Sequence, residues 1–227
     1  MSLNTISYLI HEIKTPLTGI IGITEVALEE EDASKNKSYL MDILNCAQRI
    51  SEIVGGLRSY SRIAKKEEQS LVDTHKVLED SLKMVRLAIK TTSVEVIKRF
   101  QPVEKIEANM GEIQEVFTNL VTNAIQAMNG KKGRLILSTR SLKDSIEVKV
   151  SDNGIGIPQK CLKKIFDPFF TTKKPGEGTG LGLNIVSRIV NKYEGTIDVE
   201  SREGVGTTFT IKFPIKGDGN GKESIGG

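Results

Sequence analysis

The chain has 227 residues, with 32 Lys and Arg against 29 Asp and Glu, a formal net charge of +3. Such a balance, with no dense basic run interleaved with aromatics, argues against nucleic acid as a partner. At 38% hydrophobic and 27% charged, the composition is that of a soluble globular protein of one large or two modest domains. Cys46 and Cys161 stand far apart, outside any CxxC or Cys/His cluster, and read as reduced structural thiols of a cytoplasmic protein. No apolar run approaches the ~20 residues of a membrane span, and no signal peptide precedes the first element. A helical pattern is already running by Ile6, as expected of a piece cut from a longer chain, so any membrane anchor would lie in segments outside this one.

The first element carries apolar or small residues at Ile6, Ile10, Ile13, Leu17, Ile20, Thr24 and Ala27. The four-three spacing is the seam of a coiled coil or bundle. A charged stretch, Glu29 to Lys37, can reverse the chain, and the seam resumes as Leu40, Ile43, Ala47, Ile50, Val54, Leu57 and Ser61. This predicts an antiparallel helical hairpin over 4–30 and 37–66. Two helices cannot surround their own seams, so two hairpins are expected to pair as a dimeric four-helix bundle. His11 follows seam residue Ile10 and is expected at the solvent-facing edge of the stripe, with Thr15 one turn further on the same face. Pro16 removes the helical bond to the Glu12 carbonyl, which costs about 3 kcal/mol by propensity and predicts a kink. A local rule broken beside an exposed histidine marks a candidate functional site.

After Lys65-Lys66-Glu67-Glu68 the seam stops. A helix capped near Val72-Asp73-Thr74 is predicted to run to about Lys90. Strands are expected at 94–100, 106–110, 134–142, 146–151, 196–201 and 208–213, and helices at 111–128 and 181–193. One mixed sheet with helices on one face, an α+β sandwich, follows from this order. Residues 217–227 read as a disordered tail.

Four segments of this second domain carry chemistry. Asn119 and Asn123 share a helix face amid apolar neighbours, where asparagine is disfavoured, and an amide oxygen suits a hard cation such as Mg²⁺. Asp152-Asn153-Gly154-Ile155-Gly156 follows a strand. Its carboxylate can accept from a base's exocyclic amine, and its glycines admit close approach of a ring. Gly176 to Leu183 leads into a helix with glycines at 176, 178, 180 and 182. Such a loop presents backbone N–H groups and about half a positive charge to phosphate, yet lacks both the Walker A ending and the strand a Rossmann fingerprint requires. Between the last two lies a long stretch with Phe166, Phe169 and Phe170, then Thr171-Thr172-Lys173-Lys174, which reads as a lid over phosphates.

In this order the segments resemble the sensor histidine kinases of two-component signalling. His11-Glu12-Ile13-Lys14-Thr15-Pro16-Leu17 is similar to the H box, Asn119–Ala124 to the N box and Asp152–Gly156 to the G1 box. Phe166–Phe170 is similar to the F box, Gly178–Gly182 to the G2 box, and Gly204-Val205-Gly206-Thr207-Thr208 to the final glycine motif. The likeness spans about residues 6–214. It implies a dimerisation and phosphotransfer hairpin at 1–66, an ATP-binding domain of the Bergerat (GHKL) type at 67–216, and ATP and Mg²⁺ as cofactors. It further implies that His11 is the phosphoacceptor, that Glu12 orients the ring and takes its proton, and that Asn123 ligates Mg²⁺ with Asn119 nearby. Asp152, helped by Thr208, would read the adenine amine, with Gly154 and Gly156 admitting the ring. Gly178, Thr179, Gly180, Leu181 and Gly182, with Lys173, would hold the phosphates. The expected partners are a second copy of the chain and a response-regulator receiver domain, whose dephosphorylation Thr15 would assist by positioning water.

Two other readings compete. Bergerat-fold ATP hydrolases place a glutamate four residues before the metal-binding asparagine, where this chain has Asn119, which cannot act as a base. A silent dimeric scaffold would not need His11, Glu12, Asn123 and Asp152 together.

Overall fold

The computed structural model describes residues 3–62, 68–89, 94–128, 132–173 and 178–215, and for 3–9, 11, 12, 52, 56–62 and 89 the backbone alone. The expected hairpin end at 63–66, the charged boundary at 65–67, Gly176 and Glu177 of the glycine loop, and the tail at 217–227 lie outside the described residues, as do the side chains of His11 and Glu12. The chain forms two compact units, Met1–Ala64 with Asp167–Gly182, and Lys65–Phe166 with Leu183–Gly227.

In the first unit α1 (Leu3–Glu29) and α2 (Ala33–Arg62) pack against each other. Only Glu30, Glu31 and Asp32 join them, so they must run antiparallel. The connection is far shorter than the charged stretch 29–37 suggests, because Asp32 ends it. Its carboxylate accepts from Ser34 N at 2.8 Å and Ser34 Oγ at 2.7 Å, and its carbonyl accepts from Asn36 N at 3.0 Å. That is an N-cap, which starts α2 four residues early. Helix α1 runs on through Pro16.

The seam divides by heptad position. Ile13, Ile20 and Ala27 on α1, and Ile43 and Ile50 on α2, are half-buried within the hairpin. Ile10, Leu17, Leu40, Ala47 and Val54 are exposed. Each helix therefore spends half its apolar seam on its neighbour and leaves the other half in water.

The second unit contains β1 (Ser70–Val72), α3 (Thr74–Ile89), β2 (Val94–Phe100), β3 (Ile106–Ala108), α4 (Met110–Ala127), β4 (Gly133–Ser141) and β5 (Ser145–Asp152). It closes with α5 (Gly182–Lys192), β6 (Thr196–Arg202) and β7 (Gly206–Pro214). The main sheet has the order β2-β4-β5-β7-β6. Strands β2 and β4 are parallel and the remaining neighbours antiparallel. The strand expected at 106–110 is shorter and leaves that sheet, pairing with β1 as a separate ribbon.

Alternation along the strands sets the two faces. Leu135, Leu137 and Thr139 of β4, Ile146, Val148 and Val150 of β5, and Thr207, Phe209, Ile211 and Phe213 of β7 are buried on one face. Helix α4 lies against β4, β5 and β7, with α3 beside it. Its buried stripe, Ile113, Val116, Phe117, Leu120, Val121, Ala124 and Ile125, fills the space between, each large side chain contributing about 1.5–3 kcal/mol.

One buried charge fixes the helix spacing. Glu112, only 3% exposed, receives Lys192 Nζ at 2.7 and 3.0 Å and Tyr193 OH at 2.5 Å. Tyr193 OH in turn accepts from Asn109 N at 2.8 Å. A carboxylate taken out of water requires such pairing, and here it ties the start of α4 to the end of α5.

Candidate functional site

Asp152 is the last residue of β5 and lies on the helix-covered face, continuing the parity of Ile146, Val148 and Val150. It is half-buried, and Oδ1 accepts from Gly154 N at 2.8 Å. Burial pushes its carboxyl above the ordinary aspartate range, opposed by the N–H groups of Gly154 and Thr207. A carboxylate held by backbone donors yet short of solvent favours a polar ligand that brings its own N–H.

The turn after Asp152 rests on α4. Ile155 N donates to Ala127 O at 3.0 Å, and a Cβ on Gly154 would stand 2.7 Å from the Ala127 carbonyl, so glycine is required for the approach. Ala127 lies four residues after Asn123 and eight after Asn119, on the same stripe of α4. The structure thus brings both asparagines, each half-buried, onto the helix that carries the Asp152 loop. Asn119 Nδ2 donates to Glu115 O at 2.9 Å, which engages one of its two N–H donors with the helix. Among the described residues no His, Cys, Asp or Glu cluster could cage a metal. Amide oxygens with a substrate phosphate are a donor set that suits Mg²⁺, which keeps much of its water.

Thr208 does not join Asp152. The ladder sets Asp152 against Thr207 and Ser151 against Thr208, so Thr208 points to the uncovered face, where its Oγ1 bonds Ser151 Oγ at 2.9 Å. Thr207, buried beside Asp152, is the hydroxyl on the correct face. Taking the strand to begin at 208 hid it, although the alternation Thr207, Phe209, Ile211, Phe213 was there to read.

The glycine-rich segment divides between the two units. Leu183 onward, most of α5, belongs to the second, with Ile185, Val186, Ile189 and Val190 buried. There Asn184 Nδ2 donates to Phe166 O at 2.8 Å, pinning the chain where the F segment begins. In the first unit, Phe169 N donates to Gly180 O at 2.9 Å. Both residues have φ of +67°, and a Cβ on Gly180 would lie 2.3 Å from the Phe169 carbonyl carbon. Lys173 lies against Gly178, where a Cβ would meet its Cδ at 3.1 Å. Thr179 Oγ1 accepts from Leu181 N at 3.4 Å. Gly182 opens α5, so residues 178–182 lead into a helix N-terminus suited to anions.

On the hairpin, Thr15 is exposed and Pro16 buried, one turn past His11 on α1.

Two family models match the chain in succession. Residues 2–66 match the His Kinase A (phospho-acceptor) domain, and residues 109–217 match the histidine kinase-, DNA gyrase B-, and HSP90-like ATPase family. The chain belongs to the sensor histidine kinases. These are ATP-dependent protein-histidine kinases of two-component signal transduction, with a GHKL-type ATP-binding domain. The chain is 34% identical over 212 residues to the signal transduction histidine-protein kinase AtoS of Escherichia coli, matching 92% of this chain and 34% of that one. It is 30% identical over 214 residues to sporulation kinase C of Bacillus subtilis, matching 92% of this chain and 48% of that one. It therefore spans about a third to a half of those relatives. A solved structure of histidine kinase ThkA in complex with response regulator protein TrrA matches 93% of this chain and 61% of that one, at a TM-score of 0.76 and 25% identity.

Proposed function

We propose that this histidine-kinase core phosphorylates His11 from ATP and passes the phosphoryl group to an aspartate of a response regulator. The observation that carries the proposal is the Asp152 turn seated on α4. It sets a desolvated carboxylate, fit to accept an exocyclic amine, at the end of the helix that bears Asn119 and Asn123.

Asp152 selects the base, with Thr207 beside it in place of Thr208. The N–H groups of residues 178–182 and Lys173 hold the phosphates. Asn123, with Asn119 near it, holds Mg²⁺, which when bound neutralises charge on the phosphates. A ring nitrogen of His11 attacks the γ-phosphorus, ADP leaves, and Glu12 receives the ring proton. An imidazole of ordinary pKa, about 6.5, is mostly neutral at pH 7, so catalysis consists of positioning and charge neutralisation.

The half-exposed seam of the hairpin supports a homodimeric bundle, with domain limits of 1–66 and 67–216. The ThkA–TrrA complex supports a receiver domain as the acceptor. The P–N bond of phosphohistidine makes that transfer downhill, and Thr15 positions the water that hydrolyses the regulator's acyl phosphate to aspartate and inorganic phosphate. ATP as phosphoryl donor puts the chain in the cytoplasm, whether or not a longer protein anchors it to a membrane.

Incubation with γ-labelled ATP tests the reading. Label should be acid-labile and base-stable and should vanish in His11→Gln, while ADP affinity stays within a few fold. Label retained in His11→Gln, or none in the parent, rejects it.

A further inference from the structure

The hydroxyl groups beneath Asp152 admit one arrangement of protons. Ser201 Oγ on β6 accepts from Ile157 N at 2.8 Å, and lies 3.0 Å from Gly206 O and 2.9 Å from Thr207 Oγ1. A backbone N–H can only donate and a carbonyl can only accept, while serine brings one proton and two lone pairs. With all three contacts made, the Ser201 proton must go to Gly206 O. Ser201 Oγ then accepts from Ile157 N–H and, with its second lone pair, from the Thr207 hydroxyl. Thr207 has given up its proton and keeps lone pairs alone. Asp152, opposite it in the ladder, is also a pure acceptor when ionised.

We infer that Ser201 is a positioning residue for base selection. By taking the Thr207 proton, it makes Asp152 and Thr207 two adjacent acceptors that match an exocyclic amino group and repel a carbonyl in the same place. The inference rests on the proposed role of Asp152 in reading the base. It extends that reading to a residue on another strand, across β7 from β5. The direction of selection follows from chemistry, since a 6-amino purine offers N–H where a 6-oxo purine offers a second lone pair. Sites built around hydrogen-bond complementarity discriminate strongly against the mismatched group. Ser201 also clamps β6 to the turn at Ile157, so a purely structural role would weaken every nucleotide alike.

ADP and IDP separate the two, because they differ only at the 6-position and its ring-nitrogen neighbour. Calorimetric titration of the full chain should give tighter ADP than IDP binding in the parent. In Ser201→Ala the Thr207 proton is released and can be donated to a 6-oxo group. The ADP-to-IDP affinity ratio should then fall about ten-fold, equivalent to about 1.4 kcal/mol. Ser201→Thr keeps a hydroxyl and should keep the parent ratio. Should Ser201→Ala not fold, Thr207→Val serves in its place, and it should lose ADP affinity while sparing IDP. Equal losses for both nucleotides in Ser201→Ala, or equal losses in Thr207→Val, overturn the inference and leave the kinase reading standing. A parent that binds ADP and IDP equally, or neither, removes the base-reading role of Asp152 and this inference with it.

Discussion

The hairpin and the α/β unit obey opposite rules of burial. In the α/β unit every helix and main-sheet strand but β6 contributes side chains to a closed core, from Val77 and Leu78 on α3 through Phe117 on α4 to Phe213 on β7. Among the described residues of the hairpin, Ile53 and Pro16 are the buried apolar side chains, while Leu28 is 82% exposed and Leu40 64%. An α/β sandwich can cover its own apolar face. Two helices cannot, because each presents a stripe wider than one neighbour can shield. The apolar core is thus internal to one unit, and the proposed dimer would supply it to the other. The proposed nucleotide-binding residues Asn119, Asn123 and Asp152 sit on elements with a closed core, whereas His11 sits on a hairpin whose seam is left half exposed.

The strongest test of that contrast is to damage each core in turn. Phe117→Ala should lower unfolding free energy by about 3–5 kcal/mol, with a denaturant midpoint that does not depend on protein concentration. Ile50→Asp should bury an unpartnered charge at the proposed bundle centre, costing several kcal/mol. Its effect should depend on concentration, as linked association requires, and should appear as a shift from dimer to monomer in light scattering. A parent hairpin that is well folded and monomeric at micromolar concentration breaks the comparison.

Within the α/β unit, Asn123→Asp and Asp152→Asn should separate metal from base. The first should chiefly alter the Mg²⁺ dependence of ATP binding. The second should shrink the preference for ATP over GTP, and an unchanged preference would count against the role of Asp152. Its pH behaviour sharpens the point. Burial holds the Asp152 carboxyl above its ordinary value, so ADP affinity should begin to fall, on acidification, at a pH above the usual aspartate range. Asp152→Asn should flatten that profile in titrations at stepped pH. The native state also binds more protons than the unfolded one between the ordinary and the raised pKa, so stability from this group declines as pH rises through that window. Asp152→Asn is therefore expected to raise the melting temperature at neutral pH, with the gain fading below the ordinary aspartate range.

The smallest effect belongs to the exposed side of the hairpin. Thr15→Ala should leave autophosphorylation within a few fold, since the role proposed for its hydroxyl is in dephosphorylation and not in transfer to His11. It should slow dephosphorylation of the cognate regulator by about ten-fold or more. Equal loss of both activities would mean that Thr15 only tunes the helix around Pro16.

What could be read from the chain alone is what depends on neighbours in sequence. The four-three seam from Ile10 to Val54, the carboxylate at the end of β5, and the glycine run entering α5 are local patterns, and each fell on the expected kind of element. Caps belong to this class as well. Asp32 could have been recognised as the N-cap of α2, and overlooking it stretched the turn to nine residues. Tertiary structure decided whatever depends on register. Thr207 and Thr208 are adjacent in sequence yet lie on opposite faces of the sheet, and a one-residue error at the strand start exchanges them. The Glu112–Lys192–Tyr193 lock and the bond from Ile157 to Ser201 join residues far apart in the chain. No periodicity announces them, because a buried polar group finds its partner only once packing has removed the water.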